Sequence, residues 1–188
     1  QRENVYTLRR ELLDGQVHWD DEVVDSRQYL MTLAEHLVDQ AVEASCGREV
    51  DPEDWDVDAL KQSVGELAGL PADTLGALEL HDKNPDEMHD ALWAAVKARY
   101  TEKEQTVETE ILRRVERDVM LQIVDTQWKD HLYSLDHLKE GIGLRGYAQK
   151  DPKQEYKREA FTMFNDMLAR FKHDVIATLS RVRIQTEA

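Results

Sequence analysis

The chain has 188 residues, 41% of them hydrophobic, only 7% aromatic and 34% charged, with a formal net charge of −15 and one cysteine. That size suits one large or two small domains; the single Cys46 excludes an internal disulfide and any multi-cysteine metal site, and reads as a buried or half-buried small apolar residue. Between Asp20 and Asp90 stand twenty acidic against four basic residues, a balance of −16 that argues against nucleic-acid binding there and leaves the two ends near neutral.

In chain order, Val5, Leu8 and Leu12 share one helical face, and no capping residue precedes Gln1. The opening therefore reads as a helix cut from a longer protein. Asp14-Gly15 is a break or C-cap. A second amphipathic pattern follows through Val23, Val24, Leu30, Leu33, Leu37, Val38 and Val42, up to Gly47. Glu49 to Trp55, with Asp51-Pro52, reads as loop. Leu60, Val64 and Leu67 then form a short helical face, opened by Asp56 or Asp58 and closed near Gly69 and Pro71. Asn84-Pro85-Asp86-Glu87 is a strong helix start, with a capping Asn, a first-turn Pro and a Glu able to bond back to the cap. From there Met88, Leu92, Val96 and Tyr100 line one face. An unbroken helix from Pro85 to Gly141 would be roughly 85 Å long, too long for a compact domain of this size. The polar run Thr101 to Thr109 is where a kink is expected. No alternating strand pattern of useful length and no internal repeat is visible. No stretch approaches the ~18 apolar residues of a bilayer span, and no secretory leader opens the chain.

Residues 119 to 164 carry the most information. Leu121, Val124, Trp128, Leu135, Leu138 and Ile142 alternate three- and four-residue steps, with His131 as the one polar position on that seam. Phe161, Phe164, Leu168, Phe171, Val175 and Val182 repeat the pattern. Two such stripes joined by about ten residues predict an antiparallel helical hairpin, with Trp128 in its core. The connection is unusual: from Ile142 to Arg158 it holds five basic residues (Arg145, Lys150, Lys153, Lys157, Arg158) against two acidic ones. Glycines and Asp151-Pro152 serve a tight turn. They do not account for Leu144, Arg145 and Tyr147 crowded together, which suit contact with a peptide chain or a channel's loops.

Chemical motifs are few. There is no P-loop and no G-x-G-x-x-G; Gly141, Gly143 and Gly146 follow a helix rather than a strand. No histidine has Glu three residues before it, as a di-iron bundle requires; Asp86-x-x-His89 comes closest. Cys46 has no neighbouring His, and no nucleophile elbow exists. No catalytic, cofactor or metal residue is assigned.

WKDHL, LKEGIGLRGYAQKDPKQEYKREAF and MFNDMLARFKHDVIATLSRV resemble the scaffold region of the SecA family, ATP-driven motors of bacterial preprotein export. QRENVYTLRRELLDG resembles the family's long scaffold helix ahead of its wing domain. The middle, about 47–108, matches only in organisation, with DWDVDAL as its best patch. The resemblance implies an all-α chain: a truncated scaffold helix in 1–46, an acidic helical wing in 47–108, and scaffold with a two-helix finger in 109–188, its tip at about 142–151. It implies that Leu144, Arg145, Gly146, Tyr147 and Lys150 meet the preprotein or the channel, with Tyr147 on the family's fingertip aromatic. It further implies as partners the parent's nucleotide-binding and preprotein-binding domains, the preprotein and a SecYEG-type channel. ATP and magnesium would belong to the parent, and the protein would be cytoplasmic, peripheral at the inner face of the plasma membrane. The motor, the preprotein cross-linking domain and the cysteine-rich zinc tail of the family are missing. Two other readings stand beside this one: a free-standing helical adaptor, which would bury its own apolar stripes, and a helical-bundle metalloenzyme, which would bind metal.

Overall fold

The computed structural model describes residues 1–145 and 151–185, with the backbone alone at Arg145. Among the described residues seven helices carry the fold: α1 (Arg2–Asp14), α2 (Ser26–Cys46), α3 (Val57–Ala68), α4 (Ala72–Ala77), α5 (Pro85–Thr106), α6 (Thr109–Arg145) and α7 (Pro152–Arg181). A 3₁₀ turn covers Pro52–Asp54. The described residues are all-α apart from one small hairpin, strands β1 (Gln16–Trp19) and β2 (Glu22–Asp25), paired antiparallel with Val17 opposite Val24.

That hairpin corrects the expected helical pattern from Val23. Strands of four residues are too short to show an alternation, and only Val17 and Val24 are buried while Val23 is exposed. Asp20 turns the chain with φ 51°, a conformation that Asp tolerates better than most residues. Asp25 then starts α2, its carboxylate accepting from the Gln28 amide.

The helix boundaries follow local chemistry. Gly15 and Gly69 end α1 and α3 at φ 69° and 61°, left-handed positions where a side chain is strained. Asp56 caps α3. At α5 the full reciprocal box forms, Asn84 accepting from the Glu87 amide and Glu87 accepting from that of Asn84. The long helical run breaks at Val107-Glu108, inside the polar stretch where a kink is expected.

One apolar core joins every helical layer. It runs from Val5 and Leu12 through Leu33, Val38, Leu60 and Leu92 to Met120, Val124, Phe171 and Val175. Cys46 is fully buried within it, and burial pushes its thiol pKa up. Trp19 fastens the strand hairpin to α2 by edge contacts with Tyr29 (6.1 Å) and His36 (6.0 Å).

Candidate functional site

Helices α6 and α7 form the expected antiparallel hairpin, and the residues that zip it differ in part from the sequence reading. On α6, Met120, Val124, Leu138 and Ile142 are buried, with Leu121 and Leu135 half-buried. On α7 the stripe is Ala160, Phe164, Met167, Phe171 and Val175. Phe161, expected on that stripe, is 64% exposed instead. Ala160 and Phe164 lie four residues apart and take the seam; Phe161 sits one step past Ala160 and is turned off it. Trp128 is only half-buried, packed edge-on to Phe164 at 6.4 Å and tilted on His131 at 5.5 Å.

His131 is the polar seam residue, 2% exposed, and it is satisfied. Its Nε2 lies 2.8 Å from Gln1 Oε1, while Gln1 Nε2 donates to the Ala160 carbonyl at 3.1 Å. One glutamine thus ties α1 to both arms of the hairpin. Burial, reinforced by Arg170, holds the His131 pKa below the ordinary imidazole value and so favours the neutral ring. Nearby, Gln127 donates to Asp174 at 2.8 Å and accepts from Arg170 at 3.3 Å, a second polar stitch between the arms. Arg9 on α1 pairs with Asp125 on α6 through two bonds of 2.8 and 3.1 Å.

Beyond this base the hairpin has a small core of its own: Leu138, Ile142 and Ala160, with Leu135, Tyr156 and Met163 against them. The arms then reach Arg145 and Pro152. The connection is therefore shorter than the sequence suggests, because α6 continues to Arg145 and Pro152 to Arg158 already belong to α7. Asp151 caps that helix, accepting from the Lys153 amide at 3.0 Å. Among the five fingertip candidates, Leu144 is 79% exposed at the end of α6, and Arg145 closes the helix. Gly146, Tyr147 and Lys150 lie outside the described residues.

The glycines here do not make a phosphate cradle. Gly141 and Gly143 sit in the last turns of α6, where the free backbone groups are carbonyls and the helix dipole is negative. A nucleotide phosphate requires the opposite end. Among the described residues no group of three His, Cys, Asp or Glu side chains is placed to hold a metal ion, and no helix is long and apolar enough to cross a membrane.

A second polar feature, missed from sequence, lies at the root of α6. Glu116 is fully buried, accepting from Arg113 at 2.5 and 2.8 Å and from the Tyr100 hydroxyl. Arg113 also donates to Glu104, which accepts two further bonds from Arg27 at 2.8 and 3.0 Å. This chain of charges binds α2 and α5 to α6 across the Val107-Glu108 break. Burial raises the Glu116 and Tyr100 pKa values, whereas the Arg27 bonds lower that of Glu104. The signal was present: Leu112, Glu116, Met120 and Val124 form one four-residue ladder, with a carboxylate on an otherwise apolar rung.

The sequence pattern of the family described as SecA Wing and Scaffold domain matches residues 1–183. The chain belongs to that family. It is 42% identical over 190 aligned residues to the protein translocase subunit SecA of Nitrosococcus oceani, covering 100% of this chain and 20% of that relative. It is 40% identical to the SecA subunit of Koribacter versatilis, covering 98% of this chain and 18% of the relative. Against the Solibacter usitatus SecA subunit the identity is 36%, covering 99% and 18%. The chain thus spans about a fifth of the length of the curated relatives it matches.

Proposed function

We propose that this chain is the wing and scaffold segment of an ATP-driven preprotein translocase, and that the α6–α7 hairpin is the finger that meets the moving preprotein. The observation that carries the reading is the hairpin's own zipped end. Its seam is closed by apolar contacts as far as Ile142, so the arms are held together up to the connection while Leu144 stands free of them. A mere helix connection needs no such extension with its own small core.

In this reading residues 1–46 and 109–188 are scaffold and 47–108 the acidic wing. The scaffold meets the nucleotide-binding and preprotein-binding parts of a full-length translocase, and the tip (Leu144, Arg145, Gly146, Tyr147 and Lys150) meets the preprotein at the mouth of a SecYEG-type channel. ATP and magnesium would be held by parts of the translocase beyond this chain, since the glycines here lie at the wrong helix end. The protein would act on the cytoplasmic face of the bacterial plasma membrane. The relatives, each a protein translocase subunit, support this reading.

The test separates folding from transport. Tyr147→Ala in the full-length parent is expected to shift stability by no more than about 0.5 kcal/mol, as a surface substitution does, while lowering preprotein transport into membrane vesicles. Tyr147→Phe is expected to keep more transport than Tyr147→Ala. Unchanged transport in the alanine variant would refute the contact role.

A further inference from the structure

A hollow of about 600 Å³ opens between α2, α5 and the end of α7, away from the fingertip. That volume falls within the roughly 300–1,000 Å³ of built binding sites. Its floor is apolar: Leu30 and Ala34 of α2, Val96 of α5, Ile176 and Leu179 of α7. Its rim is cationic, with Lys97, Arg99, Lys103, Arg181 and Arg183. Among the described residues of the lining Glu102 is the one acidic side chain, and it pairs with Arg99 at 3.5 Å.

Three of the five cations are occupied within the fold. Besides Arg99, Lys103 donates to the Leu179 carbonyl and Arg181 to that of Glu66 at 2.8 Å. The side chains of Lys97 and Arg183, both exposed, have no partner among the described residues. A chain of net charge −15 has no solubility reason to gather positive charge around an apolar hollow. A bound group bearing negative charge beside an apolar surface gives one.

The shape selects its class. The lining follows α5 from Trp93 to Thr106, thirteen helical rises or about 20 Å. That is too long for a compact anion and is the length of about four helical turns.

We propose that this groove docks an acidic amphipathic helix, whose apolar face lies on Leu30, Val96, Ile176 and Leu179 and whose flanking carboxylates meet Lys97 and Arg183. This is helix-in-groove recognition, read through apolar anchors one and two turns apart. It is independent of the fingertip reading, because the surfaces share no residue.

The test uses the purified chain and two synthetic peptides of about 14 residues. Both carry Leu along one face; one has Glu on the flanks, and its sibling has Lys there. Trp93, half-buried in the lining, reports occupancy by its emission, with Trp93→Phe as the signal control. The Glu peptide is expected to saturate the signal and to bind about tenfold or more tighter than the Lys peptide. Lys97→Glu combined with Arg183→Glu changes only exposed side chains, so the fold, checked by circular dichroism, is expected to persist while the preference reverses. Equal affinity for both peptides overturns the proposal, as does a preference that the double variant leaves unmoved. So does the absence of peptide binding, or binding of anionic lipid vesicles in place of the peptides.

Discussion

His131 shows how one residue can be read correctly in position and incompletely in role. The seam spacing identifies it as the polar interruption of an apolar stripe, and it is indeed buried there. Its partner Gln1 lies 130 positions away, a distance over which no periodicity speaks. Because burial lowers its folded pKa, the unfolded chain binds the proton more readily than the native one. The stability that His131 contributes is therefore full above its ordinary pKa of about 6.5 and is lost as pH falls from there through the folded value. Urea unfolding followed across that interval is expected to show a fall in stability that His131→Gln reduces. Trp128 offers the converse lesson. Its place on the stripe predicts a core residue, but it is only partly buried, since it sits where the main core gives way to the slender outer hairpin. Phe171→Ala, at 1% exposure, is expected to cost about 3–5 kcal/mol, as enclosed aromatics do. Trp128→Ala is expected to cost less in the same thermal unfolding measurement, and equal losses would return Trp128 to the core.

At the scale of elements, the parts most legible in the sequence were those fixed by local chemistry. The Asn84 capping box, the Asp56 cap and the Gly15 and Gly69 ends need only neighbouring residues to specify them. What escaped depends on distant partners: the four-residue strands, which Trp19 packs against α2, and the Arg27–Glu104–Arg113–Glu116 chain, which joins three helices. The end of α6 departs from local preference. Gly141 and Gly143 lie within the helix, neither at positive φ, and a β-carbon built on either meets nothing within 4 Å. Alanine at each is accordingly expected to stabilise the helix by roughly 0.5–1 kcal/mol, seen as slower amide exchange in the last turns of α6. No gain, or a loss, would show that these positions are constrained in a way that open space does not reveal. Glycine where alanine fits leaves this arm softer than its packing demands, just ahead of the proposed contact site.

For the whole molecule, the helices of the proposed wing and the base of the hairpin share one core, so the 47–108 segment is acidic in composition without being separate in packing. Exposed apolar side chains remain on the outside: Tyr6 and Leu13 two turns apart on α1, Tyr133 on α6, and Phe161 on α7. They suit the proposed role as a segment of a larger motor. Added in trans to the motor portion of its parent, the chain is expected to bind and to lower basal ATP hydrolysis. Demonstrated binding with an unchanged rate would count against a restraining scaffold. Helix α6 itself runs without interruption from the ion cluster at its root to the last seam residue at its far end. Thirty-seven residues make a rod of about 55 Å. A rod of that length, if tilted by about 10° at its root, would sweep its far end by about 10 Å. A small displacement at one end would thereby be magnified into the width of a whole helix at the other.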